Sequence, residues 1–309
     1  MPADRNDPPV TSIVVNFDGL EDTRRCVQSL LVSSYGRHSV VVVDNASPGD
    51  DAARLSAEFG DRVYVIASNR NLGYGGGANL GLRWADAQDA AYAWVLNNDT
   101  TVDPNCIRRL VDAMESDQGY GIVSPVISAP IGPEAPSGIW YAGGRILLER
   151  AETRHSLGAL ESSSFVETGY ITGCAMFIRC ATLKAIGMFW EPLFLYWEDV
   201  DLSLRATSAG WKLGVLPAAS IHHAIHGSVV SKTLEYYHFR NALIIVRTFG
   251  SRRDAVSGLL FLTGGVARRW ARALLRRGPA ATAATRGLLV GVVLALRWPM
   301  SVANRATVR

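Results

Sequence analysis

The apolar positions of the first 125 residues follow two alternating patterns. Short, near-continuous apolar runs at 11–17 (TSIVVNF), 39–44 (SVVVVD), 61–67 (DRVYVIA) and 92–97 (YAWVLN) read as strands buried on both faces. Between and after them, 21–33, about 50–59, 76–88 and 104–115 place apolar residues at helical spacing. The last of these opens on Asp103-Pro104, a cap followed by proline at the first helical position. Such alternation predicts an α/β fold with a parallel sheet covered by helices on both sides. Ligands of these sheets lie beyond the carboxyl ends of the strands.

The pattern then changes. Residues 126–170 are rich in Pro, Gly and Ser and read as loops and antiparallel pieces, hairpin-like around Ile139–Leu148. Regularity returns with AMFIR (175–179, strand) and CATLKAI (180–186, helix), stopped by Gly187. EDVDLSLRATSA (198–209) reads as a helix with acids at the positive end of its dipole and Gly210 beyond its end. WKLGVLP (211–217) reads as a strand and about 230–248 as a helix. From about 251 the chain is helical and amphipathic: Arg268, Arg269, Arg272 and Arg276 share one side, Val266, Trp270, Ala273 and Leu274 the other. The expected division is 1–125, 126–249 and a tail at 250–309.

Composition sharpens this picture. At 309 residues, 48% apolar and 19% charged, the chain can bury a sizeable core, which excludes disordered, collagenous and disulfide-knot classes. The net charge of +3 hides an asymmetry: Ser251–Arg309 holds eleven Arg, no Lys and one acid, a net +10, leaving −7 on the rest. A basic tail on an acidic body points to an anionic partner. The tail's apolar content favours a membrane surface over nucleic acid. The longest apolar run, Gly287–Leu296, is half of the roughly 20 residues a spanning helix needs, so no transmembrane helix is expected. The stretch MPADRNDPPV is polar, with no apolar h-region, so no signal peptide is expected. Four cysteines without a C-x-x-C pair read as small buried residues in a reducing compartment. A cytoplasmic protein peripheral to the inner face of the plasma membrane is expected.

The candidate chemistry sits at strand ends. Asn16 and Asp18 follow the first run, Asp44, Asn45 and Ser47 the second, Asn69–Asn71 the third, and Asn97, Asn98 and Asp99 the fourth. Any one of these suits a turn or a cap, but four sets at one sheet edge mark a ligand edge. Gly73, Gly75 and Ala78 form a G-x-G-x-x-A run in the wrong place for a nicotinamide site; the small residues let backbone approach a ligand. Asp99 beside two amides is too little for tight chelation, yet it can share a Mn²⁺ or Mg²⁺ with a ligand's phosphates. Glu198, Asp199 and Asp201 crowd three acids into four residues, which spreads their pKa values as a general base requires, or else offsets a helix dipole. His222, His223 and His226 are close enough in sequence to reach one metal. In YYHFRN (236–241), Arg240 offers a forked donor to a phosphate, or an ordinary interhelical contact.

Taken in order, SIVVNFDG, VVVDNAS, NRNLGYGGGANLG, WVLNNDT, GYITGCAMFIR, FLYWEDVDLSLRATSAGW, IHH and YYHFRN resemble family 2 glycosyltransferases, most closely the bacterial rhamnosyltransferase-like branch, over about residues 10–248. The resemblance implies a GT-A fold, a Rossmann-like mixed sheet flanked by helices, here with an amphipathic helical extension. It also implies a nucleotide-diphosphate sugar donor and inversion at the anomeric carbon. Carried over, Asp44 accepts from the donor base. Asn16, Asp18, Asn71 and the Gly73–Gly77 backbone, Gly75 included, line the donor site. Asp99 is the metal-binding acid of a D-x-D element in which Asn97 stands at the first acid and Asn98 between. Asp199 is the catalytic base, with Glu198 and Trp197 toward the acceptor. His223, or His222 one register away, is a metal ligand, and Arg240 meets the diphosphate. The processive Q-x-x-R-W signature is absent, which implies transfer in one or a few steps.

The implied activity is transfer of a sugar to a glycan or lipid-linked acceptor in cell-envelope polysaccharide synthesis. Rhamnose from dTDP-rhamnose comes first, and a UDP-hexose or UDP-galactofuranose is the alternative. A sugar-nucleotide pyrophosphorylase would carry a glycine-rich basic loop where NFDGLED stands. A non-catalytic nucleotide-sugar or glycan-binding module has no need of Glu198-Asp199 and Asp99 together. Whether the chain forms a homo-oligomer is left open by the sequence.

Overall fold

The computed structural model describes residues 7–225, 232–276 and 280–297. His226 and the start of the helix expected from 230 lie outside them, as do the tail residues after 297 and the side chains of 272–281. The first unit alternates β1 (Val10–Asn16), α1 (Leu20–Leu31), β2 (His38–Asp44), α2 (Asp51–Phe59), β3 (Tyr64–Ala67), α3 (Gly73–Ala87), β4 (Tyr92–Asn97), β5 (Thr100–Val102) and α4 (Cys106–Ser116). There follow β6 (Tyr120–Ser128), β7 (Ile139–Tyr141), β8 (Gly144–Leu147), β9 (Glu152–His155), β10 (Val166–Glu167), β11 (Ala175–Arg179), α5 (Cys180–Ile186), α6 (Glu198–Ser208) and β12 (Lys212–His223). Helices α7 (Lys232–Phe249), α8 (Arg252–Arg276) and α9 (Ala280–Arg297) complete the described chain.

One ten-stranded sheet runs β10-β12-β6-β11-β4-β1-β2-β3, with β5 on β12 and β7 on β6. Strands β1–β4 pair in parallel, whereas β11 is antiparallel to both β4 and β6. Strand β6 straddles residues 125 and 126, so the two halves expected from sequence share one sheet. Alternate residues of β1 feed opposite faces: Val14 meets Cys26, Val27, Leu30 and the α4 side chains, while Ile13 and Val15 meet Ala78, Leu82 and Ala85 of α3. Each Val, Leu or Ile among them, fully buried, contributes about 1.5–3 kcal/mol. The four cysteines are free and buried.

Three boundaries differ from the sequence reading. Helix α4 begins at Cys106 with Asn105 as its cap, because Asp103 Oδ1 accepts from the Asn105 N–H at 2.9 Å and closes an Asx-type turn around Pro104. Helix α3 begins at Gly73, inside the glycine run, because its first turns sit too close to neighbouring backbone and side chains for larger residues. Strand β12 does not stop at Pro217. It slips register between Leu216 and Ser220, which takes the proline out of the ladder, and continues to His223.

The tail is not detached. Helix α9 packs along α7, and Leu262, Val266, Ala284 and Leu288 are buried with the core of the body. Arg269 pairs with Glu235 at 2.7 Å and lies over the Phe239 ring.

Candidate active site

The carboxyl ends of β1, β2 and β4 and the amino ends of α3 and α6 meet at one edge. The β12 extension brings a further contributor. Antiparallel pairing of β5 with β12 sets His223 opposite Thr100, so Asp99 lies beside the imidazole, with Oδ1 3.1 Å from Nε2. Both side chains are largely covered, at 18% and 10% exposure. The Ala224 N–H donates to the Asp99 carbonyl at 2.9 Å and fixes the strand end. His222 points the other way, with Nδ1 3.3 Å from Ser128 Oγ. Trp140 stands edge-on to His223, with ring centroids 4.8 Å apart.

A divalent cation fits this pair in part. The nitrogen that faces Asp99 Oδ1 is His223 Nε2, and a carboxylate with an imidazole is a donor set that hard or borderline cations accept. Among the described residues no group of three or more His, Cys, Asp or Glu could hold an ion, so the remaining ligands would be oxygens of a bound substrate.

Asp199 is half-buried at the start of α6. Its Oδ2 accepts from the Gly173 N–H at 2.9 Å and its Oδ1 from the Val200 N–H at 2.8 Å. Burial raises its pKa above the ordinary carboxylate value, and the backbone donors Gly173 and Val200 oppose that rise. Glu198 is 6% exposed, and its Oε2 has no partner. Burial, then the Asp199 charge, holds its pKa well above the usual range.

The two acids flank one segment. Gly173 N–H holds Asp199, while the next carbonyl, of Cys174, accepts from the Asn97 N–H at 3.0 Å, two residues before Asp99. Tyr74 donates its hydroxyl to the Gly173 carbonyl. That phenol is pushed well up by burial and by the charges of Cys174, Glu198, Asp199 and Asp99, which gather around it.

The donor-side residues divide. Asp44 is buried and accepts from Asn16 Nδ2 at 2.8 Å and from the Ser47 hydroxyl. Asp18 is exposed at φ 54°, its N–H donating to Ser47 Oγ. Asn71 Oδ1 accepts from the Gly73 N–H at 2.8 Å. Asn45 clamps the same turn: Nδ2 donates to the Gly73 carbonyl and Oδ1 accepts from Leu72. Gly73 needs to be glycine, since φ is +75° and a Cβ would fall 2.1 Å from the Phe194 carbonyl oxygen. Gly75 leaves room for Phe189, whose Cβ lies 3.1 Å from where a Cβ would stand, with Glu198 in ordinary contact beyond it at 3.7 Å. Asn97 acts through its backbone, and Asn98 Nδ2 donates to Thr23 Oγ1 at 3.0 Å and to the Gly19 carbonyl.

Two expectations need correction. Asn16 is 0% exposed, and its amide is spent on Asp44, Ser47, Asp51 and Thr23. It braces the site rather than facing a donor. Arg240 is turned inward, with Nη2 donating to the carbonyls of Pro192 and Leu193 at 2.7 and 2.8 Å and Nε donating to Asn241 Oδ1. Its guanidinium lies 4.6 Å from the Tyr237 ring centroid. It holds a loop by its backbone carbonyls. Trp197 is likewise buried, against His238.

That loop has an unusual backbone. Phe194, Tyr196 and Trp197 have φ of 66°, 65° and 71°, in the left-handed region that costs roughly 1–2 kcal/mol per non-glycine residue. Asn241, 0% exposed, donates from Nδ2 to the carbonyls of Leu193, Leu195 and Tyr196 at 2.8–2.9 Å. The sequence reading gave Asn241, Gly173 and Tyr74 no role. Their partners lie far off in sequence, and no local spacing announces them.

Residues 11–183 match the family model "Glycosyl transferase family 2". The chain belongs to that family. It is a glycosyltransferase of a fold in which divalent-metal dependence is typical. It is similar to an N-acetylglucosaminyl-diphospho-decaprenol L-rhamnosyltransferase of Mycobacterium tuberculosis, 26% identical over 70% of this chain and 76% of that protein. Among solved structures, GalNAc-T7 with UDP, GalNAc and Mn²⁺ superposes with a TM-score of 0.63 at 17% identity, covering 77% of this chain and 48% of that one. The mannosyltransferase PcManGT of Pyrobaculum calidifontis, in complex with GDP-Man and Mn²⁺, gives 0.56 at 16% identity, covering 96% and 89%. At such identities the two structures carry the GT-A fold alone.

Proposed function

We propose that this glycosyltransferase inverts the donor's anomeric centre, moving a hexose from a nucleotide diphosphate to a hydroxyl of a lipid-linked glycan. Rhamnose from dTDP-rhamnose is the first donor to test, and a UDP-hexose or UDP-galactofuranose the next. The observation that carries this reading is the Gly173–Cys174 segment, tied on one side to Asp199 and on the other to Asn97 at the end of β4, two residues before Asp99. In this reading Asp199 removes the acceptor hydroxyl's proton, and the oxygen attacks the anomeric carbon from the face opposite the leaving diphosphate. A raised carboxylate pKa makes Asp199 a stronger base. Asp99 and His223 would hold a Mn²⁺ or Mg²⁺, which supplies charge neutralisation for the departing diphosphate. Asp44 and the Asn71–Gly73 turn would receive the nucleotide. Glu198, buried and protonated, would offer a hydrogen bond rather than a second base.

The lipid-linked acceptor is suggested by the name of the M. tuberculosis relative and by the tail. No helix among the described residues is long and apolar enough to cross a membrane. Yet α8 and α9 leave Val256, Leu260, Phe261, Leu289 and Val293 exposed, beside exposed Arg252, Arg253, Arg268 and Arg286. That surface would lie on the anionic inner leaflet, where each basic residue is worth about 1 kcal/mol. The test is a thermal-shift screen of dTDP-rhamnose, UDP-glucose, UDP-galactofuranose and GDP-mannose with Mn²⁺, followed by transfer from the stabilising donor to a polyprenyl-diphosphate glycan. A ligand at 100 times its Kd adds about 2.7 kcal/mol of stability. Binding of a donor with neither transfer nor hydrolysis would leave a binding module instead.

A further inference from the structure

The tail helices do more than present a surface. A Cβ at Gly287 would fall 2.2 Å from the Tyr236 carbonyl oxygen, and one at Gly291 would fall 2.9 Å from the Arg240 carbonyl oxygen and 3.0 Å from its Cα. Helix α9 therefore rests backbone on backbone against the turn of α7 that carries Arg240 and Asn241. Those two side chains hold the carbonyls of Pro192, Leu193, Leu195 and Tyr196. The held loop leads through three left-handed residues into Glu198 and Asp199. It also reaches α3, where the Phe194 carbonyl accepts from the Tyr74 N–H at 2.7 Å and Tyr237 stacks on Phe194 at 4.8 Å. From the other side α8 braces α7 through Arg269 to Glu235, and α9 through Trp270 Nε1 to Thr285 Oγ1 at 2.8 Å.

We propose that Asn241, Gly287 and Gly291 are positioning residues for the catalytic loop, and that α9 is the keystone that keeps Asp199 in place. Three positive-φ residues within a stretch of four do not hold that conformation on their own. The carbonyls along them are bound: Asn241 holds those of Leu193, Leu195 and Tyr196, the Tyr74 N–H holds that of Phe194, and Asn241 sits on a helix that α9 presses against the body. The tail is thus part of the catalytic unit. A contact that shifts α9, such as docking of its exposed face on a bilayer, acts on the loop through α7 and Asn241. The inference rests on the reading of Asp199 as the base and concerns what sets its position.

The test compares Asn241→Ala, Gly291→Val, Asp199→Asn and a control, Gly264→Ala, where an added Cβ meets nothing closer than 3.5 Å. Hydrogen–deuterium exchange of the full chain reads the loop without any substrate. Asn241→Ala and Gly291→Val should speed exchange at residues 193–200 at least tenfold while leaving β1, β2 and β4 protected as in the parent. In the assay, both should lower kcat at least tenfold with the donor KM within about twofold, and Gly291→Ala should fall between Gly291→Val and the parent. The double variant should be less impaired than the product of the two, since both act through one contact. Unchanged exchange at 193–200, or parental kcat in both variants, would overturn the keystone role and leave the transferase reading standing. An active Asp199→Asn would instead overturn the base assignment.

Discussion

His223 Nε2 and Asp99 Oδ1 lie 3.1 Å apart because the last residue of β12 faces the first residue of β5, one step after the acid. The pair comes from positions 124 apart in sequence. Its geometry depends on backbone pairing, not on a local motif. His223→Ala or Asp99→Ala should therefore abolish the Mn²⁺ dependence of donor binding. The loss should be at least the roughly 10–100-fold that an outer partner of a metal site is worth. Electron paramagnetic resonance titration of free Mn²⁺ with the donor present measures it, and unchanged affinity in both variants rejects the assignment.

Asp199→Asn keeps the side-chain shape and one acceptor for the Gly173 N–H but cannot take a proton. Transfer should fall by roughly 10²–10⁴-fold. Donor affinity, read by calorimetry, should stay within about twofold. Near-parental turnover removes Asp199 from the role.

Glu198 gives a pH signature in stability. Its folded pKa lies well above 4.5, the ordinary value, because the ionised form is buried and beside Asp199. The folded state therefore holds a proton that the unfolded state has released. Its contribution is full below the unfolded pKa and is lost as pH rises through the folded one. Glu198→Gln removes that loss. The Tm of the variant minus that of the parent should increase from pH 5 to pH 9; a difference that shrinks with pH contradicts the sign.

Gly73→Ala meets two costs: a left-handed φ, about 1–2 kcal/mol, and a Cβ 2.1 Å from a backbone oxygen of the catalytic loop. Urea unfolding should show at least that loss of stability, with a further loss of transfer because Phe194 must move. Full activity would show that the loop is free to yield.

The membrane reading is best tested without deleting the tail, since truncation would strip α7 of its partner. Val256→Asp with Leu260→Asp changes only exposed side chains on α8. Flotation with vesicles of anionic lipid should lose most bound protein in the double variant, while Tm stays within about 2 °C. Equal flotation of variant and parent excludes this face.

The sequence was readable where its signals are local. Alternating apolar runs located β1, β2, β4 and β11, and acids before a terminal glycine located α6, because burial on both faces and helix dipoles leave marks within a few residues. The glycosyltransferase family was legible too, from motifs in order. What escaped was tertiary. Nothing near Pro217 tells that β12 resumes after a slip, and nothing in YYHFRN tells that Arg240 turns toward carbonyls 47 and 48 residues back instead of outward. Asn16 read as a ligand contact because a strand-end amide looks the same whether it faces solvent or is spent inside.

The irregularity at Pro217 also decides a choice between neighbours. Three residues, 217–219, pass without a partner on β6 before pairing resumes at Ser220. Side chains alternate along an extended chain, so the parity of that excursion selects which of two consecutive imidazoles meets Asp99. Deleting Ala218 alone would carry His223 into the place of His222, toward Ser128, and bring Ala224 to the place beside Asp99. Deleting Ala218 and Ala219 together would restore the original facing on a shorter strand. The imidazole that stands beside Asp99 is thus chosen by an odd number of unpaired residues well upstream of it.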